Sequence, residues 1–230
     1  MTPLPPLLVL TDRRGCERRG RTLLATVAAA VGAGARAVVL REKDLSRPQR
    51  RELGTALLAL LRPVGGVLVV ASDLGLAIEL GNGWAHLAEA DAWPPVTAGV
   101  GLGRSCHGAT SLVRAGERGA AYATLSPVFP TASKPGYGPP LGLSRLSALA
   151  RGASALPIYA LGGVDAATAG ACRGAGARGV AVMRAVMAAE DPGAATRELL
   201  AALEALPAGQ GERLPGCSDQ GSEQRGEGAH

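Results

Sequence analysis

The feature that most constrains this chain is a repeat of short, near-continuously apolar runs separated by longer Ala- and Leu-rich stretches. The runs are Leu7–Asp12, Ala37–Glu42, Val67–Ser72, Trp84–Ala88, Gly99–Ser105, Tyr122–Val128, Pro157–Gly163 and Gly179–Ala185. Their starts lie about 25 residues apart on average, the pitch of a strand–helix unit. Segments such as Ala37-Val38-Val39-Leu40 and Val67-Leu68-Val69-Val70 show no polar alternation, as expected of parallel strands covered on both faces.

Between the runs, the spacing predicts helices over Thr22–Ala33, Ser46–Leu61, Gly108–Gly116, Asp165–Ala175 and Asp191–Leu206. Ser46, Asp165 and Asp191 stand where N-caps belong, with Pro48 and Pro192 in the first turns. Gly34 and Gly176 stand where C-terminal caps belong. Eight such units close naturally into a single (β/α)8 TIM barrel spanning residues 1–206. A doubly wound open sheet is the competing arrangement, but no G-x-G-x-x-G turn follows the first strand. The crossover after strand four, Asp91 to Ala98, is too short for a full helix, so that unit is expected to be abbreviated. Residues 207–230 contain six glycines and almost nothing apolar, and read as a disordered tail.

The net charge of +5 raises a nucleic-acid reading, which the pattern rejects. The basic residues are scattered apart from a short Arg-rich stretch at Arg13–Arg21, and Tyr 3, Trp 2 and Phe 1 supply few stacking platforms. Small phosphorylated molecules are the expected anionic partners. No apolar run reaches the roughly 18 residues needed to span a bilayer. The first six residues lack the basic-then-apolar order of a signal peptide, so a cytoplasmic location is expected. Cys16, Cys106, Cys172 and Cys217 lack metal-ligand spacing and read as free thiols.

The polar residues that such a barrel would use lie at the C-terminal ends of its strands. Asp12, Arg41 to Asp44, Asp73, His86 with Glu89 and Asp91, Arg104 to His107, and Thr131 to Lys134 all fall there. Of 24 basic side chains only Lys43 and Lys134 are lysines, and both belong to that set. An ammonium kept in a chain that otherwise uses arginine points to a site where the two differ chemically. Gly162-Gly163 after strand seven and Arg184-Ala185 at the end of strand eight match the place where such barrels cradle a phosphate. Asp73 and Asp91 could share a divalent cation such as Mg²⁺, with Arg41, Lys43 and Lys134 neutralising a polyphosphate opposite.

These same segments resemble the family of thiamine phosphate synthases and their TenI-like relatives, the thiazole tautomerases. The resemblance runs from about Leu7 to Leu206. It is carried by Leu40-Arg41-Glu42-Lys43, Ser72-Asp73, His86-Leu87-Ala88-Glu89-Ala90-Asp91, Gly103-Arg104-Ser105-Cys106-His107, Ser126-Pro127-Val128-Phe129-Pro130-Thr131-Ala132-Ser133-Lys134-Pro135, Ala160-Leu161-Gly162-Gly163-Val164 and Val182-Met183-Arg184-Ala185-Val186. It implies a Mg²⁺-assisted union of hydroxymethylpyrimidine pyrophosphate with a thiazole phosphate, in a chain that could form a homo-oligomer. By the resemblance, Asp73 and Asp91 bind the metal, and Arg41, Lys43 and Lys134 hold the pyrophosphate. Ser105 contacts the same substrate. Thr131, Ser133 and the backbone at Gly163, Arg184 and Ala185 hold the thiazole phosphate.

Val39 replaces a family glutamine, Ser72 a family asparagine, and Ala88-Glu89 a Gly-Gln pair. Two other functions stay open on the sequence. One is a metal-independent tautomerase with His107 as acid and base; the other is a barrel that binds a phosphorylated ligand without catalysis.

Overall fold

The computed structural model describes residues 3–131, 139–153 and 155–205. Eight parallel strands, β1 (Leu7–Leu10), β2 (Ala37–Leu40), β3 (Val67–Ala71), β4 (Trp84–Leu87), β5 (Gly101–Cys106), β6 (Tyr122–Leu125), β7 (Ile158–Leu161) and β8 (Gly179–Val182), form a closed barrel in sequence order. Closure is made where Leu7, Leu8 and Val9 pair with Val180, Ala181 and Val182. Every expected strand forms, each shorter than its apolar run. Most runs overshoot at their ends, where the last residues start the next element, whereas the run of β5 begins two residues early and the strand itself extends to Cys106. Asp12, for example, accepts from the Gly15 N–H at 2.9 Å and caps a helix.

The helices are α1 (Arg13–Glu17), α2 (Leu23–Gly32), α3 (Arg47–Leu61), α4 (Leu74–Leu80), α5 (Ala109–Glu117), α6 (Gly142–Gly152), α7 (Ala166–Gly174), α8 (Arg184–Met187) and α9 (Pro192–Glu204). The expected caps are in place. Ser46 and Gln49 make a capping box, Asp165 accepts from the Thr168 N–H at 3.1 Å, and Asp191 from the Ala194 N–H at 2.9 Å. Gly34 (φ 114°) and Gly176 (φ 96°) follow α2 and α7 in backbone conformations that favour glycine. Between β4 and β5 the chain forms no helix, as the short crossover predicted. The tail at 207–230 lies outside the described residues, and among these no helix is long and apolar enough to cross a membrane.

Strand periodicity divides the core in two. Leu7, Val9, Val38, Leu40 and Val180 point outward and pack under the helices with Leu57, Leu61 and Leu199. Leu8, Ala37, Val39, Val69, Trp84, Tyr122, Tyr159 and Ala181 point inward and fill the barrel. Tyr159 closes the lower end by donating to the Leu4 carbonyl at 2.9 Å. The inward series on β2 continues from Ala37 and Val39 to Arg41, so the apolar filling gives way to charge at the barrel's upper mouth.

Candidate active site

The mouth holds a pocket of two lobes. The first is lined by Pro127, Pro130, Thr131, the loop Gly162-Gly163-Val164 and the stretch Ala181 to Ala185. The second is lined by Val39, Lys43, Ser72, His86, Ser105, His107, Tyr122 and Thr124. Leu10, Arg41, Ser126 and Leu161 line both. Arg41 is the charged residue common to the two, and its backbone N–H donates to the Thr11 hydroxyl at 2.9 Å.

Backbone dominates the first lobe. Gly162 and Gly163 have φ of 94° and 68°, and a Cβ on Gly163 would lie 2.5 Å from the Pro130 carbonyl oxygen. Both glycines are required, for the left-handed conformation and for the close approach of two loops. The first N–H groups of α8 belong to Arg184 and Ala185, and the helix itself supplies no acceptor for them. This is a geometry suited to an anion.

Side chains dominate the second lobe. The His86 ring joins three strands, with Nδ1 3.0 Å from the Tyr122 hydroxyl and Nε2 2.9 Å from the Ser105 hydroxyl. Burial, then the positive charge of Arg104, pushes His86 down to about 4, with Asp91 opposing and Lys43 adding to the shift. His107 donates from Nδ1 to the Ser126 carbonyl at 2.6 Å, which fixes its tautomer and leaves Nε2 3.6 Å from the Glu89 carboxylate. Cys106 is buried, and burial pushes its thiol up to about 11, which suits a core residue and not a nucleophile.

Asp73 and Asp91 line neither lobe but follow adjacent strands at the same end of the barrel. Asp73 Oδ1 accepts from the Leu76 N–H at 2.8 Å and so caps α4. Its Oδ2 faces Arg50 at 3.4 Å and Arg47 at 3.7 Å, both longer than a close charge-assisted bond of about 2.7–2.9 Å. Asp91 Oδ2 accepts from the Ala88 N–H at 2.7 Å. Arg104, outside the pocket, donates to the carbonyls of Glu89 at 2.6 Å and Asp91 at 2.8 Å, and so holds the helix-free crossover in place. Among the described residues, no three His, Cys, Asp or Glu side chains cluster as a metal cage.

Of the residues expected from the sequence, Arg41, Lys43, Ser105, His107, Thr131, Gly162, Gly163, Arg184 and Ala185 converge on one pocket. Ser133 and Lys134 lie outside the described residues. Sequence reasoning left His86, Tyr122 and Ser126 without a role. The signal was available in the strand alternation, which turns positions 86, 122 and 126 inward with Ser105.

A family model described as thiamine monophosphate synthase matches residues 7–186. A thiamine-phosphate synthase from Roseiflexus sp. (strain RS-1) is 38% identical over 200 residues, covering 85% of this chain and 84% of that protein. One from Chloroflexus aurantiacus is 37% identical over 201 residues, covering 85% and 91%. The solved structure of thiamine phosphate pyrophosphorylase from Pyrococcus furiosus superposes with a TM-score of 0.77 at 28% identity, over 86% of this chain and 95% of that one.

Proposed function

The chain belongs to the thiamine monophosphate synthase family, and we propose that it is a transferase joining a hydroxymethylpyrimidine pyrophosphate to a thiazole phosphate with release of pyrophosphate. The observation that carries this reading is the two-lobed pocket with Arg41 common to both halves. A reaction between two anionic substrates needs two anion sites that open onto each other, and holding both reactants in register contributes much of the rate. The backbone cradle of the first lobe suits the thiazole phosphate, with Thr131 beside it; the resemblance adds Ser133, which lies outside the described residues. The second lobe suits the pyrimidine, with Arg41, Lys43 and Ser105 on its pyrophosphate; the resemblance adds Lys134, which lies outside the described residues.

Mg²⁺ fits the donor set in kind. It takes one or two carboxylates and fills its shell with water and phosphate oxygens. Asp91 Oδ1 accepts no hydrogen bond among the described residues, and the arginines facing Asp73 Oδ2 stand too far off to saturate it. Asp73 and Asp91 would hold the ion, which would neutralise charge building on the departing pyrophosphate. The chain's own contribution is electrostatic. Arg41 and Lys43 stabilise the leaving group as the C–O bond lengthens, and the apolar wall of Val39, Leu8 and Leu10 keeps water from the electrophilic carbon.

A second reading, the tautomerase, is favoured by one observation. His107 has its Nδ1 proton held by the Ser126 carbonyl and its Nε2 directed toward Glu89, an arrangement suited to acid–base work. Substitution separates the two readings. Asp73→Ala and Asp91→Ala should each abolish thiamine phosphate formation in folded protein, whereas a tautomerase would be indifferent to both and silenced by His107→Asn. Unchanged synthesis in both aspartate variants would remove the metal assignment.

A further inference from the structure

Between the pocket and the barrel core lies a chain of polar groups that anion binding by Arg41 and Lys43 does not explain. Tyr122 on β6 is buried, with its ring packed edge-on to Tyr159 and Trp84. Its hydroxyl reaches back across β5 to His86 on β4. The crossing is possible because position 103, between them, is glycine. A Cβ there would sit 2.1 Å from Tyr122 Cζ and 2.6 Å from its hydroxyl oxygen.

The direction of the hydrogen bonds follows from counting protons. Burial pushes the Tyr122 phenol far above its ordinary range, so it stays protonated and must give its proton to an acceptor. Among the described residues its one hydrogen-bond partner is His86 Nδ1. If Nδ1 carried the proton instead, the phenol proton would have no acceptor and would bear the cost of an unmet buried donor. Nδ1 is therefore the acceptor, and the neutral ring carries its proton on Nε2. That N–H donates to Ser105 Oγ at 2.9 Å; the Thr124 hydroxyl, at 3.5 Å, is the more distant neighbour. With Oγ receiving that bond, the Ser105 proton is left to point into the second lobe.

We propose that Tyr122 and His86 form a fixed hydrogen-bond relay that holds the Ser105 hydroxyl as a directed donor to the anion bound in the second lobe. It rests on the synthase reading for the identity of that anion, a pyrophosphate. Tyr122 and His86 are positioning residues, acting through Ser105. A serine free to rotate could equally turn its lone pairs toward the phosphate oxygens, and the relay removes that choice before substrate arrives. Such pre-organisation means that little reorientation is needed as the leaving group takes on charge.

Two measurements test it. The first is ¹⁵N NMR of the histidine rings in the ligand-free native protein, which needs no activity. His86 should show an unprotonated, pyridine-type Nδ1 and a protonated, pyrrole-type Nε2; the reverse assignment overturns the relay. The second is calorimetric binding of inorganic pyrophosphate with Mg²⁺ in excess, on variants checked for native near-UV circular dichroism. Ser105→Ala should weaken binding by about 10-fold or more, and Tyr122→Phe by about 3- to 10-fold. The double variant should bind no more weakly than Ser105→Ala alone, because Tyr122 acts only through the hydroxyl already removed. His86→Gln, whose amide can still donate to Ser105, should stay within about 3-fold of native, while His86→Leu should match Ser105→Ala. Additive losses in the double variant, or no binding of pyrophosphate by the native protein, overturn the proposal. Native protein that binds pyrophosphate but makes no thiamine phosphate refutes the synthase reading and leaves the relay standing.

Discussion

Ser72 sits at φ 54°, in the left-handed region, between the last residue of β3 and the helix cap Asp73. A non-glycine residue there costs about 1–2 kcal/mol, and asparagine tolerates the region better than serine. The family asparagine at this position therefore has a backbone reason besides any contact with substrate. Ser72→Asn should raise the melting temperature by about 1–3 °C. Val39, 4% exposed, points into the second lobe as the strand pattern required, so a glutamine there would place its amide in that lobe. Combined with Ser72→Asn, Val39→Gln should lower KM for the pyrimidine pyrophosphate by about 10- to 150-fold, the worth of one hydrogen bond to a charged group. An unchanged KM would show that neither position touches substrate. His86 sets a pH dependence. Burial lowers it to about 4 in the folded chain, against about 6.5 when unfolded. Between these values the unfolded state takes up a proton that the folded state refuses, so stability is full above pH 6.5 and falls as the pH drops toward 4. Lys43 and Arg104 reinforce this and Asp91 opposes it. Urea unfolding at pH 7 and pH 4.5 should differ by at most about 3 kcal/mol through this group, and His86→Gln should remove that part of the difference.

At the level of elements, the crossover between β4 and β5 lacks the helix that its counterparts have, and a side chain replaces it. Arg104 ties the carbonyls of Glu89 and Asp91, and its guanidinium lies over the Trp93 ring at 5.8 Å. On the proposed function, these contacts would steady Asp91 as a metal ligand. Arg104→Met should leave the barrel folded and raise the Mg²⁺ concentration needed for half-maximal activity by about 10- to 100-fold, the usual effect of losing support behind a metal ligand. A Mg²⁺ titration of activity decides it, and an unshifted curve would refute this role. The strands were legible because eight apolar runs at one pitch leave little choice of fold, and the caps at Ser46, Asp165 and Asp191 because their side-chain chemistry is local. The short helix α8 and the ends of the strands were not. Whether Asp12 and Asp73 end a strand or cap a helix is settled by backbone turns that carry no periodic signal. The Arg104 contacts join residues 13 and 15 positions apart across two strands, and only the closed sheet brings them together.

Across the whole molecule, the filled lower barrel and the two-lobed mouth divide the work between stability and chemistry. Leu8, Val39, Tyr122, Tyr159 and Trp84 pack the interior, and the next inward layer supplies Arg41, Lys43, His86 and Ser105 to the pocket. The scarcity of lysine in an arginine-rich chain singled out Lys43, and Lys43 lines the second lobe. The hydrogen bonds that orient His86 and His107 could not be read from sequence, because tautomers follow from partners 19 to 36 residues away. The measurement that tests the central claim most directly is product formation by the purified protein with both phosphorylated halves, each half alone, and both halves with EDTA in place of Mg²⁺. The two-lobed transferase predicts thiamine phosphate and pyrophosphate in equal amounts, only with both halves and only with the metal. No product from both halves with Mg²⁺ would contradict it.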